Sequence, residues 1–187
     1  METLFLLLAS KAGSPLSLNS LAGDIRVSHD SIRTWLDVFE RFYLIFRIAP
    51  WATRISRGIR KEKKLYVFNH PTIEGDGARF ENMVACELFR AVNTWNDQGF
   101  GSFSLTYIRT KDGEEVDFLI ADKRSPVLLI ETKLSDTVIS KPLLKFQRML
   151  NVPAVQLVNT AGVHQRIRNG TNDVLAVSAP RWLSQLP

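Results

Sequence analysis

The stretch from Lys111 to Asp136, KDGEEVDFLIADKRSPVLLIETKLSD, constrains the fold of this chain more than any other. It holds two apolar runs of strand length, preceded by a hairpin turn, Lys111-Asp112-Gly113-Glu114, whose Asp-Gly pair supplies positive φ. Both runs are expected as buried strands, yet each carries charge where a buried strand tolerates it least. Asp117 interrupts VDFLI, and Glu131 and Lys133 close VLLIETK. Ionised groups at the edge of a core are costly to desolvate unless they are paired or bind a metal.

The rest of the composition narrows the setting. A chain of 187 residues with 45% hydrophobic residues makes one large domain or two small ones and buries a real core. The longest early apolar stretch, Leu4 to Ala9, is far short of the ~20 residues that span a bilayer. Only Glu2 precedes it as a charged side chain, which argues against a signal peptide, so the chain reads as cytoplasmic with no membrane partner. The single cysteine, Cys86, makes no internal disulfide, and His29, His70 and His164 are too scattered for structural zinc. The net charge of +5 permits nucleic-acid binding without requiring it. Between Arg47 and Lys64 lie Arg54, Arg57, Arg60, Lys61 and Lys63, opposed only by Glu62. This is either a solvated loop or a wing that contacts phosphate.

Residues 1–70 read as three helices and a hairpin: METLFLLLAS, then LNSLAGDI stopped by Gly23, then a helix capped by Ser28. In the third helix Ile32, Trp35, Leu36, Phe39 and Phe42 repeat at helical spacing as core, while His29, Asp30, Arg33, Thr34, Asp37 and Arg41 face outward. YLIFRIA and KLYVFN follow as strands, completing a winged helix-turn-helix pattern. Asp37 and Glu40 would repel phosphate, so base-specific DNA reading is one option, and assembly of protomers into a homo-oligomer is another. Residues 71–79 have linker composition, and residues 80–187 read as a second domain. That domain runs from a helix at about Phe80 to Trp95 through the strands SLTYIRT, EEVDFLIA and PVLLIETK. The helix KPLLKFQRML, the strands AVQLVN and DVLAVSA and a short last helix complete a mixed α/β sandwich.

On the long helix, at about 100° per residue, Glu81 falls inside the apolar arc of Phe80, Val84, Leu88 and Val92, whereas Asn82, Glu87, Arg90 and Asn93 take the polar half. Glu81 therefore either caps the helix or points at the core and needs a partner. In VLLIETK, strand alternation puts Glu131 and Lys133 on one face, one pleat apart, and the preceding strand brings Asp117 beside Glu131 on that face. Carboxylates from Asp117, Glu131 and Glu81, with a carbonyl such as that of Thr132, suit magnesium or manganese. Such a metal activates water against a phosphodiester, and Lys133 stabilises the charge that develops. The alternative is a charge network that ties sheet to helix. Glu62-Lys63-Lys64 has the same Glu-x-Lys spacing but lies in a basic loop with no strand before it, a control showing that the spacing alone carries no signal.

At these residues the chain resembles the PD-(D/E)xK superfamily, the restriction-endonuclease-like fold: Asp117 matches its aspartate, Glu131-Thr132-Lys133 its (D/E)xK element, and Glu81 in RFENMVACEL the glutamate of its first core helix. More narrowly, YLIFRIAPW, KLYVFN, FENMVACEL, RTKDGEEVDFLI and LLIETK, in this order, resemble the C-terminal region of prokaryotic AAA-type ATPases that carry a domain of unknown function. The resemblance implies a nuclease-like fold with Asp117 and Glu131 as metal ligands, Glu81 as auxiliary ligand and Lys133 as charge stabiliser. It also implies an ATPase domain or partner protein. No G-x-x-x-x-G-K-[ST] occurs, so no ATP site is expected in this chain, which is expected to be an excerpt or a natural stand-alone fragment. On the helix after the motif, Lys141, Lys145 and Arg148 share a polar face that could meet DNA, and Gln147 points into the apolar arc as a core amide or a site residue. Two functions follow: metal-dependent DNA hydrolysis, or a non-catalytic module for DNA or protein contact.

Overall fold

The computed structural model describes residues 2–51 and 62–187. Helix α1 spans Glu2–Ala9 and α2 spans Leu18–Ile25. Gly23, expected to stop α2, lies inside it; the helix ends one residue past Ile25, at Arg26, which takes the left-handed conformation at φ 59°. Helix α3, His29–Arg41, starts as expected on Ser28, whose hydroxyl accepts from the Ser31 amide at 3.0 Å. Leu4, Leu8, Leu21, Ile32, Leu36 and Phe39 bury one face of the three helices. Phe42 does not join them. It caps the end of α3 and is 73% exposed, so the apolar stripe outlasts the helix by one residue.

Strands β1, Ile45–Pro50, and β2, Lys64–Val67, form the expected antiparallel hairpin. Arg54, Arg57, Arg60 and Lys61 of the basic run lie outside the described residues. The hairpin read as a wing is also the edge of the main sheet, because β1 pairs in parallel with β3, Phe103–Arg109. Period-2 alternation then serves two cores. Leu65 and Val67 pack on the three helices, while Tyr66 turns with Phe46 and Ile48 toward the second core.

That core is built on α4, Asp76–Asp97, which starts earlier than expected, so residues 71–79 hold the end of a 3-10 turn at His70–Thr72 and the first turn of α4. After β3 come β4, Glu115–Asp122; β5, Ser125–Lys133; α5, Lys141–Leu150; β6, Ala154–Val158; β7, His164–Asn169; β8, Asn172–Ser178; and α6, Ala179–Leu183. Strand β7 was not anticipated: HQRIRN shows neither alternation nor an apolar run, because it is an exposed edge strand paired only to β8. The strands form one mixed sheet in the order β2-β1-β3-β4-β5-β6-β8-β7. Phe80, Val84 and Leu88 of α4 cover Phe118, Ile120 and Ile130 on one face, and Leu143 and Phe146 of α5 cover Leu119, Leu129 and Val174 on the other. The mixed α/β architecture expected from the sequence is present. Among the described residues, no helix is long and apolar enough to cross a membrane.

Candidate functional site

The charged strand ends meet where the sheet opens. Strands β3 and β4 pair Ile108 with Val116 but Thr106 with Leu119, so three steps on β4 oppose two on β3. This bulge interrupts the alternation at Asp117. On the other side, the ladder between β4 and β5 has its last pair at Phe118 and Ile130. Beyond it the carboxylates take over the released backbone groups. The Thr132 amide and hydroxyl donate to Asp117 Oδ2 at 2.9 and 2.7 Å, and the Asp117 amide donates to Glu131 Oε2 at 3.4 Å. Asp117 and Glu131 are thus neighbours, but not a pair on one face: the bulge sends the Asp117 carboxylate to Thr132, which alternates with Glu131. Lys133 does share the Glu131 face, with Nζ 2.7 Å from Oε1.

Helix α4 supplies the third acid. Glu81 points inward, accepting a hydrogen bond from the Tyr66 hydroxyl at 2.8 Å and one from the Lys64 ammonium at 3.1 Å. Lys64 is the lysine of the Glu-x-Lys copy given no role, and it stands among the acids. It opens β2, is 1% exposed, and lies 2.5 Å from Glu115 Oε1 and 3.8 Å from Asp117 Oδ1, with its ammonium 5.5 Å from the centre of the Tyr107 ring. The missed signal was the alternation of KLYVFN, which gives Lys64 the parity of Tyr66 and Phe68 and turns all three to the second core. Asn82, assigned to the polar half of α4, is fully buried; its amide accepts from the Val67 N–H at 2.9 Å and donates to the Val67 carbonyl at 2.7 Å, completing the outer edge of β2.

The cluster holds its charges under strain. Burial, and then the neighbouring Asp117 charge, raise the Glu81 carboxyl to about 7 against the pull of Lys64 and Tyr66. Burial and Asp117 likewise raise Glu131 to about 7, opposed by Lys133. Burial pulls the Lys64 ammonium down; the charges of Glu81, Asp117 and Glu115 outweigh it and hold the group above its ordinary range. Glu81, Asp117, Thr132, Lys133 and Asp136 line one cleft of about 410 Å³, with Glu131 buried behind it. Its rim is fixed by Gln156, another residue the sequence did not single out: the buried amide donates to the carbonyls of Asp136 and Val138 and accepts from the Ser140 N–H.

In their chemistry these residues fit a hard divalent cation, being oxygen donors, two of whose carboxyls are raised by burial and then by the Asp117 charge. As they stand, no three His, Cys, Asp or Glu side chains among the described residues are grouped to hold one; Lys64 lies between Glu81 and Asp117 instead.

The other basic candidates sit elsewhere. Lys145 pairs with Glu114, Arg148 donates to Asn169 at 2.8 Å and Lys141 is exposed; none lines the cleft. Gln147 is a core amide, buried and accepting from Asn169 at 2.6 Å. Lys63 lines a separate hollow with Ser17, His29 and Arg33. Asp37 and Glu40 are both held by Arg47 of β1, at 2.9 and 2.7 Å.

Residues 76–180 match a family described as Domain of unknown function (DUF4143), more than half of the chain. The chain belongs to the DUF4143 family. All four carboxylates of the cluster fall in the DUF4143 segment, and Lys64 and Tyr66 precede it, in residues 1–70, which match a second domain of unknown function, DUF8612. No curated protein matches the chain. Among solved structures it is similar to a chain of the Thermococcus gammatolerans assembly of McrB AAA+ hexamers with bound McrC, at 8% identity and a TM-score of 0.42. The match covers 93% of this chain and 46% of that one, so the chain spans less than half the length of its counterpart; a likeness this slight bears on neither fold nor function.

Proposed function

We propose that this chain is a nuclease-like domain that hydrolyses DNA phosphodiester bonds with a divalent metal, magnesium or manganese, and works beside an AAA-type ATPase. The observation that carries the reading is the cleft in which Glu81, Asp117, Thr132 and Lys133 converge from a helix and two strands. Glu81, Asp117 and Glu131 would hold the metal, which when bound polarises a phosphoryl oxygen and acidifies a water. Lys133, partly exposed at the cleft and anchored by Glu131, is poised to stabilise charge on the phosphate. Thr132 fixes the Asp117 carboxylate through two hydrogen bonds. The ATPase association rests on the sequence resemblance.

One observation favours a second reading, a non-catalytic module for DNA or protein contact. Every acid of the cluster already has a protein partner: Lys64 and Tyr66 for Glu81, Thr132 for Asp117, Lys133 for Glu131, and Lys64 and Arg109 for Glu115. Incubating plasmid and single-stranded DNA with the protein in manganese, and then in EDTA, separates the two. Cleavage that EDTA abolishes, and that falls at least about a hundredfold in Asp117→Ala and Lys133→Ala, is expected. Intact DNA with the wild type would sink the enzyme reading, and retained DNA binding in the same samples would favour the module.

A further inference from the structure

One cation of the acid cluster, Lys64, comes from outside the elements that carry the acids. Lys64 lies at the start of β2, with Glu81, Glu115 and Asp117 all within 3.8 Å of its ammonium. Two residues on, Tyr66 bonds the same Glu81 oxygen that Lys64 does. Gly13, in the turn after α1, faces that carboxylate so closely that an added Cβ would come within 3.2 Å of Glu81 Oε1. The carboxylate of Glu81 is therefore met by three residues from the first seventy of the chain.

A divalent cation held by Glu81 and Asp117 would stand within a few ångströms of the Lys64 ammonium, in a place where repulsion is poorly screened. The two cations compete for the same oxygens. Glu115 offers the lysine another seat, because its contact is the shortest of the three and its second oxygen is held by Arg109 at 3.0 Å.

We propose that Lys64 is the resident counter-ion of the cluster and that a divalent metal reaches Glu81 and Asp117 only as the ammonium withdraws toward Glu115, so that the β1–β2 hairpin sets the metal affinity of the site. This rests on the reading of the acids as a metal site.

The test is manganese binding, read by titration calorimetry and by the manganese-induced rise in Tm. Lys64→Met, which keeps the length of the side chain without its charge, is expected to bind manganese at least about tenfold more tightly than the wild type. Adding Asp117→Asn to that variant is expected to remove the gain. Glu115→Gln, which leaves the lysine only Glu81 and Asp117, is expected to shift affinity the other way, and it decides the matter should Lys64→Met fail to fold. Measurable binding that is equal in wild type, Lys64→Met and Glu115→Gln would overturn the role of Lys64 while leaving the metal site standing. Manganese binding to none of them would overturn both.

Discussion

Replacing Asn82 with alanine would leave the buried Val67 N–H without its partner on that edge of β2, and the Val67 carbonyl with only the weak Cys86 thiol at 3.6 Å. A loss of about 2–3 kcal/mol of stability is expected from urea unfolding. Next to it, Glu81 makes stability depend on pH. Its carboxyl is raised by burial and by Asp117 to about 7, whereas the unfolded chain titrates near its ordinary value of 4.5. The folded protein thus keeps a proton that the unfolded chain releases, and this contribution, complete below about pH 4.5, is lost as pH rises through 7. Urea midpoints in EDTA should fall between pH 5 and 7.5, less steeply in Glu81→Gln; an identical slope in the two proteins would sink the assignment. Burial, and then the neighbouring Glu87 charge, push the half-buried Cys86 thiol up to about 11, so at pH 8 less of it is thiolate and it should react with a disulfide reagent more slowly than in the unfolded protein. At this scale Asp117, Glu131, Lys133 and Glu81 were legible, because charge inside an apolar run demands a partner. Lys64 was not, because its own neighbours in sequence are basic and polar.

Elements were read well where a local signal sets them. Ser28 begins α3 with its hydroxyl on the Ser31 amide, and Ser28→Ala should cost about 1 kcal/mol in chemical denaturation. The helix KPLLKFQRML came out with the bounds expected, Lys141–Leu150, since its apolar spacing and its Pro near the start agree. Elements were missed where partners decide. Strand β7 pairs only with β8, and the bulge in β4 lies in its pairing with β3; neither leaves a mark in hydropathy.

Across the whole molecule, the hairpin is the joint. Phe46, Ile48 and Tyr66 belong to the core under α4, while Ile45, Leu65 and Val67 belong to the core of the first three helices. A chain cut to residues 71–187 would expose that inner face, and it should bind a hydrophobic dye such as ANS and unfold at lower urea than the full chain. Sequence alone determined the mixed α/β character, most strand and helix positions and the acids of the cluster, since periodicity and misplaced charge are local properties that survive without knowledge of partners. Tertiary structure decided that Lys64 and Tyr66 stand among those acids. It also decided that the Asp117 carboxylate bonds Thr132 while its amide meets Glu131, and that the hairpin is part of the sheet. Contact between segments far apart in sequence depends on which strand edges meet and in what register, and no single stretch of the chain encodes that.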